Sequence, residues 1–280
     1  MSARIFSTLL LWTITVLMIV YAGSLGWALI MAALSAASLW EVSEILKKMG
    51  LRPLKITGQV ANLAIFASAW GLSYFGICAR ASGAIGFAIC AVILAISILK
   101  HPYDDYAQKS ALPTTIMLTA IPFMLQWLVV MGVEARTQES SYTGIVLAVW
   151  ILAAAKFSDV GAYVIGAAFG RKKMAESISP KKTVEGAIGG IISSAAVSIC
   201  IFWGFAEILP SEFTATTIML SGAIIGTVAI LSDLLESVLK RRANVKDSGA
   251  LIPGIGGALD LADSLLLTSP LGFLIVSIII

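Results

Sequence analysis

The residues able to do chemistry are few and lie in the second half of the sequence. Asp260 and Asp263 stand three apart, so a helix would put both on one face, and Asp233 with Glu236 repeats the spacing. Lys156, Asp159 and Tyr163 make a third set, again spaced to share a helix face. Basic residues run between these sets: Arg171-Lys172-Lys173, Lys181-Lys182-Thr183, Lys240-Arg241-Arg242 and Lys246 beside Asp247. Just ahead of Asp260 comes Pro253-Gly254-Ile255-Gly256-Gly257, whose glycines would let backbone approach a phosphate closely. Paired aspartates suit Mg²⁺, a hard cation that prefers carboxylates and retained waters. A polyphosphate needs Lys and Arg to neutralise it while a divalent ion bridges its oxygens. Phosphoryl or nucleotidyl transfer uses both groups together.

Each set also has a plainer reading. Lys156 and Asp159 could be a self-neutralising pair whose ends reach toward water. Ser179 reads as an N-cap and Pro180 as the first helical residue, so free N–H groups would gather with Lys181 and Lys182 into an anion site. An ordinary cap plus basic residues retained on the cytoplasmic side would account for the same segment. The helix dipole favours Asp in a first helical turn, which covers one of Asp260 and Asp263. Asp233 and Glu236, read at a helix C-terminus, oppose that dipole and call for a cation or the basic run beside them. The three cysteines, Cys78, Cys90 and Cys200, lie in apolar runs without CxxC spacing, and the single histidine is His101. That argues against a zinc site and against histidine acid/base chemistry.

These residues must be positioned by elements that live in a bilayer. Of 280 residues 59% are hydrophobic and 12% charged, where a soluble domain carries about 25% charged residues. The mean hydropathy is +0.95. Residues 5–40 carry no charge, too long for one span, and suit two helices with a turn near Gly23-Ser24-Leu25-Gly26. The run after Arg4 reads as a retained first span rather than a cleaved leader. Further apolar runs at 57–79, 82–99, 113–133, 142–168, 187–206, 213–232 and 264–280 bring the count to about nine. Alternating the connections between two sides places sixteen Lys and Arg on one side and two, Arg80 and Arg136, on the other, which predicts a cytoplasmic N-terminus. The fold class is thus an all-α polytopic integral membrane protein of about nine transmembrane helices with a polar, cytoplasm-facing cavity. Residues 1–140 are expected to form a scaffold and a dimer interface, and residues 141–280 the catalytic region. The segment 41–55 reads as an amphipathic connector lying on the cytoplasmic face. Gly166/Gly170, Gly186/Gly190 and Gly222/Gly226 have the spacing that permits close helix approach or a homodimer. The net charge of +3 is spread over short connections, so no nucleic-acid surface is expected.

The chain resembles the CDP-diacylglycerol synthases, or phosphatidate cytidylyltransferases. Their C-terminal signature runs Ser, Lys-Arg, four residues, Lys-Asp, then Pro-x-His-Gly-Gly and Asp-Arg-x-Asp. Here it reads Ser237, Lys240-Arg241, Lys246-Asp247, Pro253-Gly254-Ile255-Gly256-Gly257 and Asp260-Leu261-Ala262-Asp263. Ser158-Asp159-x-Gly161-Ala162-Tyr163 and Ser179-Pro180-Lys181-Lys182-Thr183-x-Glu185-Gly186 resemble upstream motifs, so the likeness covers about residues 150–264. The family's His is Ile255 here and its Arg is Leu261, beside Ala258 and Ala262. The resemblance implies that phosphatidate attacks CTP to give CDP-diacylglycerol and pyrophosphate with Mg²⁺, alone or with a second cation. It makes Asp233, Asp260 and Asp263 the metal residues and adds Lys246 and Asp247 to the catalytic set. It assigns Ser158, Asp159, Lys181, Lys182, Thr183, Lys240, Arg241, Gly256 and Gly257 to substrate binding. The implied setting is a bacterial inner membrane, with the active site on the cytoplasmic side. A secondary transporter of an anion, or a family member impaired by Ile255 and Leu261, are the alternative readings. A transporter should show repeat symmetry and charges at the midplane, whereas these charges gather at one face.

Overall fold

The computed structural model describes residues 2–77, 79–100, 105, 107–134, 142–254 and 256–280. Cys78, His101, Arg136 and Ile255 lie outside the described residues. The chain divides into two compact units, residues 1–134 with 242–262 and residues 135–241 with 263–280. The segment 242–262 thus groups with the N-terminal helices.

The first unit contains α1 (Ser2–Lys48), α2 (Lys55–Tyr74), α3 (Ala79–Lys100), a π-helical turn (Ala107–Ala111), α4 (Leu112–Ala120) and α5 (Pro122–Glu134). Long apolar runs become helices because lipid offers no partner for backbone N–H and C=O groups, and a helix satisfies them internally. In α1 the helical path is interrupted at Gly23, whose φ of 55° and ψ of −132° are open to glycine. Ser7 donates to Pro253 O at 2.8 Å, and Glu41 bonds Ala258 N at 2.9 Å, so both ends of α1 meet one loop. In a straight helix those two residues would lie roughly 50 Å apart. The chain therefore folds back at Gly23, as the long uncharged run requires. Helices α4 and α5 separate at Ile121 because Pro122 has no N–H to bond back into the preceding turn. Trp27, Ile65, Leu118, Leu125 and Leu128 are fully buried in this unit, and Trp27 Nε1 donates to Leu128 O at 2.9 Å.

The segment 41–55 is not a separate surface helix. Residues 41–48 complete α1, with Val42, Ile45 and Leu46 buried, and a turn at Met49 and Gly50 leads to α2 at Lys55. The apolar stripe read from the sequence is real, and it packs into protein instead of onto lipid.

The second unit contains α6 (Thr143–Phe169), a hairpin of β1 (Lys173–Ala175) and β2 (Ser179–Thr183), α7 (Val184–Gly204), α8 (Ala215–Arg242) as far as Arg241, and α9 (Ala258–Ile279) from Asp263 onward. The helices close on small residues. Ser194 donates to Gly222 O at 2.7 Å, Ser158 to Gly226 O at 3.1 Å, and Trp150 Nε1 to Ser198 Oγ at 2.9 Å. A Cβ on Gly222 would come within 2.2 Å of Ser198 Oγ, so the Gly222/Gly226 spacing serves packing inside this chain.

Two sequence boundaries shift. Ser179 and Pro180 lie in β2, and Thr183 caps α7 by accepting from Gly186 N at 3.1 Å. Pairing of β2 with Lys173–Ala175 holds Pro180 extended on a two-stranded edge, where its missing N–H is harmless. Helix α8 continues past 232 to Arg242, so Asp233 and Glu236 sit inside the helix and Lys240, Arg241 and Arg242 close it. The dipole conflict expected for the two carboxylates disappears, because the last turn is basic.

By length and composition, six helical stretches among the described residues could cross a membrane: Leu9–Lys48, Lys109–Val133, Thr143–Phe169, Val184–Gly204, Ala215–Arg242 and Ala258–Ile279, with Ala81–Ile96 a shorter apolar helix. Their surfaces present large apolar residues outward, such as Phe87, Ile192 and Trp203. Water would not tolerate such faces, and lipid does. The protein is an all-α polytopic integral membrane protein carrying one small hairpin.

Candidate active site

Helix α8 builds the centre of the site. Asp233, Glu236 and Lys240 follow one another at helical spacing, and Glu236 is paired with Lys240 at 2.5 Å one turn on. The Glu236 side chain is only 2% exposed, and the Lys240 ammonium offsets the cost of removing its carboxylate from water. Asp263 approaches from α9. The hydroxyl of Ser232 donates to the main-chain O of Asp263, fastening the two helices beside the carboxylates. Ligand-type oxygens of Asp233, Glu236 and Asp263 all lie within 4.8 Å of one another.

Lysines answer these acids from three elements. Lys182 of β2 pairs with Asp233 at 2.5 Å, and Lys156 of α6 stands 3.3 Å from Asp263 and 3.7 Å from Asp159. Three ammonium groups thus balance the carboxylate triplet, with Asp159 sharing one of them. An open cavity of about 220 Å³ adjoins this arrangement, lined by Asp159 and Tyr163 of α6, Lys181, Lys182 and Thr183 of β2, and Asp233 of α8. Asp233 is common to the cavity wall and to the triplet.

The hairpin is what brings Lys181 and Lys182 to the cavity. It is fixed at its base, where Glu185 accepts from Arg171 N at 3.0 Å and from Lys172 N at 3.2 Å. It is fixed near its tip by Arg241, whose Nε donates to Ile178 O at 3.1 Å. Arg241, expected to meet substrate, holds the hairpin, and Thr183 caps α7 while also facing the cavity. Ser158 is fully buried between α6 and α8, and it does not line the cavity.

The remaining expected residues belong to the first unit. Lys246 and Asp247 are exposed in the loop between α8 and α9. Gly256 has φ +127° and pairs with Ile252 through two backbone bonds, closing a tight turn. A Cβ there would lie 2.7 Å from Asp260 Oδ2. Asp260 Oδ2 accepts from Gly257 N at 2.8 Å and Ser248 N at 3.3 Å, so this aspartate organises the glycine-rich turn. Leu261, at the position of the family's Arg, is half-buried on α9.

Glu236 and Lys156 complete the charge cluster although neither stood among the expected site residues. The signal for Glu236 was its three-residue spacing from Asp233, and for Lys156 its place inside an apolar run. The carboxylate triplet is an all-oxygen donor set without His or Cys, which fits a hard divalent cation and does not fit zinc.

The profile of the cytidylyltransferase family matches residues 2–279. A Synechocystis sp. protein named phosphatidate cytidylyltransferase is 41% identical over 142 residues, 51% of this chain and 47% of that protein. A Chlamydia pneumoniae protein of the same name is 37% identical over 161 residues, covering 57% of this chain and 51% of its own length. A third, from Rickettsia bellii, is 32% identical over 191 residues, covering 68% of this chain and 79% of that protein. The chain spans about half the length of the first two of these relatives. With a profile match running nearly end to end over the helices that carry the carboxylates and lysines described above, the chain belongs to the cytidylyltransferase family.

Proposed function

We propose that the protein joins phosphatidate to CTP. A phosphate oxygen of phosphatidate attacks the α-phosphorus of CTP, a P–O–P bond forms as the α–β bond breaks, and CDP-diacylglycerol and pyrophosphate result. The observation that carries this reading is Asp233, which belongs both to the lysine-lined cavity and to the carboxylate triplet. A triphosphate in that cavity would have its charge met by Lys181 and Lys182 on one side and by a carboxylate-held cation on the other.

Asp233 and Asp263, with Glu236, are the proposed holders of Mg²⁺. Asp260 stays in the metal proposal because it stands one helical turn before Asp263 on α9. When bound, Mg²⁺ would supply charge neutralisation to the phosphates. Lys182 and Lys156 hold the carboxylates until substrate arrives, and their ammonium groups are then placed to turn toward phosphate. Asp159 and Thr183 flank the cavity, Lys240 pairs with Glu236, and Arg241 keeps the hairpin in place. Lys246 and Asp247 are proposed to position phosphates from the loop before α9, in which Gly256 and Gly257 form the turn held by Asp260 and Glu41.

The proposal includes nine crossings, a cytoplasmic N-terminus and a site facing the cytoplasm of a bacterial inner membrane. The fold-back at Gly23 supports two crossings within α1, and the sixteen-to-two division of Lys and Arg supports the orientation.

The test is pyrophosphate release by the full chain in proteoliposomes, with CTP and Mg²⁺, with and without phosphatidate. Release is expected only when all three are present, lost on chelation and regained with added Mg²⁺. Absence of lipid-dependent release overturns the reading, and saturable anion uptake into the same vesicles would mark a transporter instead.

A further inference from the structure

Glu41, at the end of α1, carries a buried carboxylate that the reaction does not use. It is 7% exposed, and both its oxygens are occupied. Oε2 accepts from Ser248 Oγ and from Leu259 N, each at 2.9 Å, and Oε1 accepts from Ala258 N at 2.9 Å. Two of these donors are N–H groups of the first turn of α9, which have no partner within the helix itself. The carboxylate thus fills the place at that helix end where the dipole would otherwise attract a phosphate. The pocket is shaped for it. A Cβ on Gly257 would sit 2.3 Å from Oε2, and a Cβ on Gly249 would sit 2.3 Å from Oε1. Gly257, expected to admit a phosphate to the backbone, makes room for Glu41. Ser7, at the opposite end of α1, bonds Pro253 O at 2.8 Å in the same loop.

We infer that Glu41 is a positioning residue: it fixes the loop 248–259 and the start of α9, and through them the register of the aspartates on that helix. It touches neither substrate nor cation in this role, and its partners lie 207 to 218 residues away in sequence. A carboxylate held by three neutral donors has no cation to exchange, so the anchor persists through turnover. Side-chain hydrogen bonds to backbone at helix starts are common. This one is set apart by its burial, its charge and the two glycines that admit it.

The effect on turnover rests on the nucleotidyl-transfer reading, and the anchoring itself does not. The experiment therefore has two arms on the full-length chain: amide hydrogen exchange across 248–262, and CTP- and phosphatidate-dependent pyrophosphate release. In Glu41→Gln the new NH₂ group faces backbone donors. Exchange in 248–262 should rise by about tenfold or more, and kcat should fall by about tenfold while KM for CTP changes less than about threefold. Ser248→Ala removes one donor of three and leaves the charge, so it should fold readily and show the same changes at about two- to threefold. Glu41→Asp, which keeps the charge on a shorter arm, should recover part of the loss. Unchanged exchange in both Glu41→Gln and Ser248→Ala overturns the anchor. Raised exchange with wild-type kcat overturns its role in the reaction. If the unaltered chain releases no pyrophosphate, the functional reading falls, and the exchange arm still decides whether Glu41 holds the loop.

Discussion

Acids withdrawn wholly or partly from water in this protein are stabilised in two opposite ways. In the second unit, Asp233, Glu236 and Asp263 lie close together and each faces a lysine side chain, at 2.5 Å, 2.5 Å and 3.3 Å. In the first unit, Glu41 faces two backbone N–H groups and a serine hydroxyl. Both arrangements offset the cost of removing a carboxylate from water. They differ in what can replace the partner. A lysine on a flexible stem can leave its carboxylate for a phosphate when a divalent cation takes its place. A backbone N–H in the first turn of a helix cannot leave without unwinding that turn. On the proposed reading the first arrangement is suited to changing partners, and the second to preventing movement.

The contrast is broken most severely by Asp263→Asn. The substitution keeps the size of the side chain and removes the charge that faces Lys156 and the other two acids. Turnover should fall by about a thousandfold or more, with membrane insertion and helix content unchanged, if the cluster holds the cation. Wild-type-like pyrophosphate release in the purified variant would remove Asp263 from the metal proposal. Next in size is Lys240→Met, which leaves the Glu236 side chain, 2% exposed, without its close cation. Loss of one partner of a buried pair costs about 3–5 kcal/mol, and the double variant Lys240→Met/Glu236→Gln should recover most of it. Thermal unfolding in detergent checks both. No recovery in the double variant would mean that Lys240 stabilises α8 by some route other than charge pairing.

A smaller effect tests the other side of the comparison. Gly257→Ala places a methyl group 2.1 Å from Ser248 Oγ and 2.3 Å from Glu41 Oε2. The loop must shift to admit it, at about 1–3 kcal/mol. Gly50→Ala lies in the same unit at φ +81° with open space around a Cβ, so its cost should be that of backbone strain alone, about 1 kcal/mol. Equal losses for the two would argue against the Glu41 pocket as the reason for glycine at 257.

The sequence reading and the structure part company according to the range of the interactions. Most apolar runs, the break in the long N-terminal run and the spacing of Asp233 with Glu236 are local properties and appear in the helices as read, whereas the run at 113–133 divides at Ile121 ahead of Pro122. The extent of α8 was misread because charge ended the apolar run at 232, whereas lipid sets where a helix may be charged and not where it must stop. The hairpin at 173–183 was missed because a Ser-Pro pair is equally at home before a helix and on the edge of a two-stranded sheet. Its choice was made by pairing with β1 and by Lys182 reaching Asp233. Glu41 was hidden for the same reason in stronger form. Nothing within a turn of it in sequence hints at donors near 248 and 258, and its amphipathic neighbours suggested a lipid surface. The motif residues were legible as a set, but their division into Lys182, which meets an acid, Arg241, which fastens a hairpin, and Ser158, which packs helices, needed coordinates.

The least disruptive prediction concerns Thr183, where a capping role and a substrate role coincide. Its hydroxyl accepts from Gly186 N at 3.1 Å, and the same residue lines the cavity. Thr183→Ala removes the cap and should cost about 1 kcal/mol in thermal unfolding. Thr183→Ser keeps the hydroxyl and should restore stability, since serine caps at least as well as threonine. If capping is all that Thr183 does, the serine variant also restores KM for CTP, and the alanine variant alters KM only as far as a frayed α7 start displaces Lys182. A raised KM in the serine variant, at full stability, would instead show that the threonine methyl group contacts substrate. Thr183 would then meet substrate beside Lys182, while the hairpin backbone stays fixed through Glu185 and Arg241.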